Sequence, residues 1–270
     1  MKLTTINLHS YAQDYYDKKL NIFADYILSE KPDIIAMQEV NQHKTSPYSP
    51  NVNNTIATDG NFLLREDNYG LKALEILKNK NCCYHYLWLG IKEAYGKFEE
   101  GIGFLLKTEP LRFQNILLSK TDSKDNWKKR MALGAYWEGI WIYNLHTGRW
   151  DDKEEPFIHQ WNNLTNSVYK DKKMILMGDF NAPSDVPNES YELMLSDKWE
   201  DTYEKAKYKD DGFTVTEKID GWKDVESSFK RIDYIFTNYN CNVMSSKTIF
   251  NGKEQGIISD HYGVEVIMEG

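Results

Sequence analysis

Asp179 and Asn181 stand two residues apart in the stretch Met-Ile-Leu-Met-Gly-Asp-Phe-Asn-Ala-Pro, residues 174–183. In an extended chain, residues two apart project to the same side. A carboxylate can take a proton from water, and the neighbouring amide carries two donors that can hold water or a phosphate oxygen. The pair therefore suits hydrolysis. An Asx-rich turn closing a strand would use the same residues, so this stretch alone leaves both readings open. Similar groups follow other apolar runs: Asn7 with His9, then Glu39, then His146. Arg231-Ile232-Asp233 puts an acid into a run that continues Tyr-Ile-Phe, and Ser259-Asp260-His261 precedes the last apolar segment. An acid within a buried strand is costly unless it is paired, and His261 is the candidate partner of Asp233. One such residue is ordinarily structural, whereas several regions with the same placement argue for a site.

The same groups bear on metals. Two carboxylates, Glu39 and Asp260, together with amide oxygens make a set that suits Mg²⁺, with Mn²⁺ as a substitute. The imidazole-rich set of a catalytic zinc is missing, and no Cys/His spacing resembles a zinc site.

The elements that must place these residues follow from periodicity. Residues 2–8 and 33–38 read as strands, the second ending at Glu39. Tyr16, Leu20, Phe23 and Ile27 predict a helix over 14–29, and Leu71, Leu74 and Leu77 a second, shorter one. Residues 84–89, 101–106 and 111–119 read as strands. Residues 90–100 read as a connection, and residues 41–61, rich in Asn, Ser, Thr and Pro, as a surface loop. A hairpin is predicted over 131–137 and 140–145, turning at Glu138-Gly139. Phe157, Trp161, Leu164 and Val168 predict a helix after Pro156, and residues 189–195 a short one. Strands at 232–236, within 241–249 and at 263–268 close the chain. No repeat, low-complexity tract or Pro/Gly linker interrupts it, so residues 1–270 are expected to form one domain.

Composition narrows the partners. The net charge of −8 argues against gripping duplex DNA through many phosphates, which calls for a basic surface. Aromatic residues make up 14%, including 18 Tyr and 8 Trp, enough to stack flat or sugar-like groups as well as to fill a core. Three cysteines, two of them adjacent, do not form a disulfide framework. No run has the length of a membrane span and the start lacks an apolar leader, so a reducing cytoplasm and no membrane are expected.

With these residues in view, the chain resembles the endonuclease/exonuclease/phosphatase superfamily. The motifs in order are Ile6-Asn7, Gln38-Glu39, Asn144-x-His146, Gly178-Asp179-Phe180-Asn181, Arg231-Ile232-Asp233-Tyr234 and Ser259-Asp260-His261. The resemblance implies a four-layer α/β/β/α sandwich, two packed mixed sheets flanked by helices, with the site at one end. It implies that Asn7, Glu39 and Asp260 surround a divalent metal. Asp179 would deprotonate the attacking water and Asn181 would position it. Asp233 would pair with His261, which would bind phosphate or move a proton. His146 would be a second histidine paired with Glu100, and Arg130 would contact phosphate. His9 and Ser10 depart from the pattern of many nucleases and would lie at the metal–phosphate site. The Asn-Leu-His-Ser start, with Asp211-Gly212-Phe213-Thr214-Val215 and Asp220-Gly221-Trp222, is similar to a bacterial subgroup that acts on disaccharide phosphates. The expected substrate is a small phosphate ester, a sugar phosphate, rather than nucleic acid. Phe213, Trp222, Trp127 and Trp150 are candidates for stacking its ring, with core packing as the alternative for each.

Overall fold

The computed structural model describes residues 1–12, 15–50, 53–56, 58–216 and 229–269. The chain runs through β1 (Lys2–Asn7), a 3-10 turn (Ser10–Ala12), α1 (Tyr16–Glu30), β2 (Ile34–His43), β3 (Thr55–Ile56), α2 (Tyr69–Asn79), β4 (His85–Ala94), β5 (Phe98–Leu106) and β6 (Arg112–Leu117). It continues with β7 (Met131–Trp137), β8 (Ile140–His146), α3 (Phe157–Ser167), β9 (Met174–Asp179), α4 (Ser190–Ser196), β10 (Glu200–Asp201), α5 (Thr202–Lys205) and β11 (Tyr208–Lys209). The last strands are β12 (Asp233–Thr237), β13 (Val243–Ile249) and β14 (Gly263–Met268).

The strands make two mixed sheets, ordered β11-β13-β14-β1-β2-β5-β4-β3 and β10-β12-β9-β8-β7-β6. Leu3, Ile34 and Phe104 of the larger sheet pack against Ile142, Ile175 and Ile235 of the smaller one. On the outer face of the larger sheet, Ile35, Met37 and Leu105 meet Leu20 and Phe23 of α1 and Leu71 and Leu74 of α2. On the other side, Tyr143, Leu176 and Tyr234 meet Phe157 and Trp161 of α3 and Met194 of α4. Three apolar layers thus hold the four-layer α/β/β/α sandwich that the family resemblance implies.

Strand parity carries polar residues into the space between the sheets. Leu3 of β1, Ile142 of β8, Ile175 and Met177 of β9 and Ile235 of β12 all face that space. Alternation by two then turns Asn7, His146, Asp179 and Asp233 the same way, each at a strand end. Register makes three of them neighbours: His146 lies beside Asp179, and Asp179 beside Asp233.

A buried amide link ties the sheets together just behind this end. Gln38 Nε2 donates to Asn144 Oδ1 at 2.7 Å and to Thr5 Oγ1 at 3.1 Å. Asn144 Nδ2 donates to the carbonyls of Met37 (3.0 Å) and Gly103 (2.8 Å). Buried amides in an apolar layer are stable only when satisfied in this way.

Two expected boundaries move. Glu39 does not lie past the end of its strand: β2 continues to His43 through a register shift between Met37 and Val40. Residues 90–100 form the paired ends of β4 and β5 around a turn at Tyr95 and Gly96, both at positive φ. Their charges hid the strand, because they are satisfied in ion pairs rather than turned to water: Glu99 binds Arg65, and Glu100 binds Lys92. No helix among the described residues is long and apolar enough to cross a membrane.

Candidate active site

Two backbone irregularities aim the acids. Glu39 sits in the register shift at φ +50, a left-handed conformation that strand alternation does not supply. Ser10 holds it there. Its hydroxyl donates to the Glu39 carbonyl at 3.0 Å and accepts from the Asn41 amide at 3.0 Å. Gly178 adopts φ +145, and a Cβ there would lie 2.0 Å from the Leu145 carbonyl oxygen. Only glycine lets β9 approach β8 this closely immediately before Asp179.

Asp179 is fully buried and held from both sides. Oδ2 accepts from Asn7 Nδ2 at 3.0 Å, and Oδ1 accepts from the Asn181 backbone amide at 2.9 Å. Burial, followed by the Asp233 charge, pushes its pKa up, against the pull of His261. Asn181, at φ +46, is anchored by its side chain to the Thr147 carbonyl at 3.1 Å. Asn7 Nδ2 also donates to Glu39 Oε1 at 3.0 Å, while its oxygen accepts from the His9 amide at 3.1 Å. That backbone donor fixes the amide orientation, so Asn7 turns nitrogen, not oxygen, toward the acids.

His261 Nδ1 bonds Asp233 Oδ2 at 2.9 Å, and His261 Nε2 lies 3.9 Å from Asp179 Oδ2. Burial alone would lower this imidazole, but Asp233 and Asp179 outweigh it and push the pKa up to about 10. His146 Nε2 lies 3.7 Å from Asp179 and 3.9 Å from Glu39. Burial, then the positive charges of Arg130 and Lys92, hold it well below the ordinary histidine range. His9 Nδ1 bonds Asp260 Oδ1 at 3.0 Å, and Nε2 reaches the Tyr95 hydroxyl at 3.3 Å. Burial opposes its charge, yet Asp260 and Glu39 push its pKa up to about 9. Burial would raise Asp260, but His9 and His261 draw it down to about 2.

His9, Glu39, Glu100, Arg130, His146, Asp179, Asn181, Asp260 and His261 all line one cavity of about 650 Å³. Other expected residues stand elsewhere. Ser10 is buried on the Glu39 backbone and does not line the cavity. Asn7 and Asp233 lie behind the lining, on Asp179 and His261. Glu100 is not paired with His146 among the described residues. Lys92 Nζ, directly across the β4–β5 ladder, takes its carboxylate at 3.1 Å. Phe213 is 37% exposed and packs on Phe229 outside the cavity, and Trp150, half-buried, packs against the core. Trp222 lies outside the described residues. Sequence reasoning missed Lys92, Tyr95, Lys128 and Asp152, which also line the cavity. The three charged ones were signalled only by runs of charge, which need the strand register to be read, and Tyr95 carried no signal of its own.

Two groups of donors could hold a cation. Ligand atoms of Asp179, Asp233 and His261 lie within 4.8 Å of one another. There the His261 Nδ1–Asp233 bond occupies one ligand atom of each. Glu39 and Asp260 each keep one carboxylate oxygen without a hydrogen-bond partner among the described residues and face the cavity, and burial plus the Glu100 charge raises the pKa of Glu39. Half-buried acids that face one cavity in this way fit a hard divalent ion.

The chain matches the Endonuclease/Exonuclease/phosphatase family over residues 4–261. It belongs to that family. A family protein from Leptotrichia buccalis is similar at 32% identity over 100% of both chains, with a TM-score of 0.86. A mannosyl-6-phosphatase from Bacteroides thetaiotaomicron has the same fold at 19% identity and TM-score 0.69, over 100% of both chains. A 3′-5′ exonuclease from Neisseria meningitidis does so at 16% and 0.65, again over 100% of both. No curated protein matches the chain. Family members are metal-dependent phosphoesterases and nucleases, and this chain is a phosphoesterase of that kind.

Proposed function

We propose that the enzyme is a Mg²⁺-dependent phosphomonoesterase that releases phosphate from a sugar phosphate in the cytoplasm, with residues 1–270 working as one domain. The observation that carries this reading is the cavity: the acids and histidines lie in a pocket of about 650 Å³, a size that suits a small ligand. The relative named as a mannosyl-6-phosphatase supports the sugar. Glu39 and Asp260 would hold the ion, and Mn²⁺ would suit the same oxygens. Asn7 orients Glu39 and Asp179 through its nitrogen instead of serving as a ligand. A bound divalent ion would neutralise charge on the phosphate. Asp179, its proton affinity raised by burial, takes a proton from the attacking water, and Asn181 positions that water. His261, held cationic by Asp233, bonds a phosphate oxygen through Nε2. Arg130 and Lys92 add positive charge at the cavity wall.

A phosphodiesterase acting on DNA is the second reading, favoured by the fold relative named as an exonuclease. The basic run nearest to a nucleic-acid grip, residues 124–130, speaks against it. Lys124 pairs with Asp125, Lys128 with Asp152 and Glu154, and Lys129 with Asp122, so little charge is left for a polyanion. Phosphate release from a panel of sugar phosphates with Mg²⁺, run beside plasmid nicking, tests the choice. Release without nicking is expected and should vanish with EDTA. Nicking without release from any sugar phosphate would overturn the proposal.

A further inference from the structure

Trp127 is a large apolar side chain left 64% exposed at the lip of the cavity. Its backbone is fixed, because the Trp127 carbonyl accepts from Lys92 Nζ and from Arg130 Nη1, both at 2.8 Å. Both donors are buried and line the cavity. The indole is thus tied to the phosphate-binding end while its ring is offered to solvent. Lys128 Nζ lies 5.3 Å from the Trp127 ring centroid and is itself held by Asp152 at 2.8 Å. Arg149 and Asp151 form a second charge pair in the same wall at 2.7 Å. Lys128 is shared with Glu154 as well, at 2.8 Å, so the wall offers no spare positive charge, and an aromatic ring beside such paired charges suits a neutral group with an apolar face and many hydroxyls. Paired carboxylates and ammoniums still have lone pairs and protons for hydroxyls, whereas a polyanion would meet no net attraction.

We infer that Trp127, with the Lys128–Asp152 and Arg149–Asp151 pairs, forms a subsite for the neutral sugar ring that carries the phosphate. This rests on the phosphomonoesterase reading and adds the group that selects the leaving alcohol. Binding energy from that ring is spent remote from the reacting phosphorus, so its loss appears as lost discrimination between alcohols.

The test is Trp127→Ala and Trp127→Phe in the full chain, assayed with Mg²⁺ on a hexose phosphate and on glycerol phosphate, which has no ring. The tie to Lys92 and Arg130 is a backbone carbonyl, so both variants retain it. The preference for the hexose ester, as a ratio of kcat/KM values, should fall about tenfold in Trp127→Ala, mainly through KM, and largely recover in Trp127→Phe. An unchanged preference in Trp127→Ala, or equal loss in both variants, would overturn the subsite and leave the phosphatase reading standing. A wild-type enzyme that cleaves neither ester would overturn both.

Discussion

Replacing Asn144 by Leu tests whether the amide link between the sheets positions the site. Asn144 precedes His146 by two residues, and its partner Gln38 immediately precedes Glu39. The substitution nearly keeps volume but removes three bonds: one from Gln38 Nε2 and one each to the carbonyls of Met37 and Gly103. Gln38 keeps its bond to Thr5, so the larger loss falls on the two carbonyls, one of them at the register shift that turns Glu39. At about 1–3 kcal/mol for each of the two carbonyls left unpaired, and about 1–2 kcal/mol regained from burying Leu, the net cost centres on about 2–3 kcal/mol. Urea unfolding followed by far-UV circular dichroism reads that directly, with an unchanged slope expected. A double-mutant cycle with Gln38→Leu should give a coupling of about 1 kcal/mol or more, because both changes break the same bond. Phosphate release by the folded variant should fall together with Mg²⁺ affinity, since the β2 bend that aims Glu39 loses its tether. A variant within about 0.5 kcal/mol of the parent, with no coupling to Gln38, would refute the reasoning.

Gly178→Ala should destabilise far more than Gly139→Ala. Both glycines have positive φ, but a Cβ at Gly178 meets the Leu145 carbonyl at 2.0 Å whereas one at Gly139 meets nothing within 4 Å. Gly139→Ala carries only the conformational cost of about 1–2 kcal/mol, and equal losses in urea midpoint would contradict this reading. Asp179→Ala should abolish phosphate release while leaving the circular dichroism spectrum in place, and surviving activity would remove Asp179 as the base. Burial would raise the pKa of Asp33, but bonds from Lys107 Nζ and the Lys2 amide lower it. A depressed folded pKa contributes stability above the unfolded value of about 3.9, and that contribution disappears as pH falls through the folded pKa. Asp33→Asn should therefore cost stability at pH 7 and flatten its fall below about pH 4, measured by urea midpoints across that range.

The sequence by itself determined the main strands and helices and the polar groups at the strand exits. Apolar runs ending in Asn7, His146 and Asp179 mark strands with polar groups at their exits, because a strand and its end are local properties of the chain, whereas the sandwich followed from the resemblance that the motifs carry. The acid in 231–236 announced a buried partner because a lone buried charge is too costly to persist. What only the tertiary structure decided are the matters set by register and by left-handed backbone. Glu39 and Asn181 take positive φ with no glycine to mark it, and the hydroxyl of Ser10 stabilises the bend at Glu39 from a turn far off in sequence. Glu100 faces Lys92 instead of His146 because the β4–β5 register sets them opposite, and two long polar side chains do not declare their partners by spacing. Phe213 and Trp127 carry equal aromatic signals, yet one packs on Phe229 and the other lines the cavity. Which aromatic stays open depends on what the rest of the fold leaves uncovered, a non-local quantity that composition does not contain.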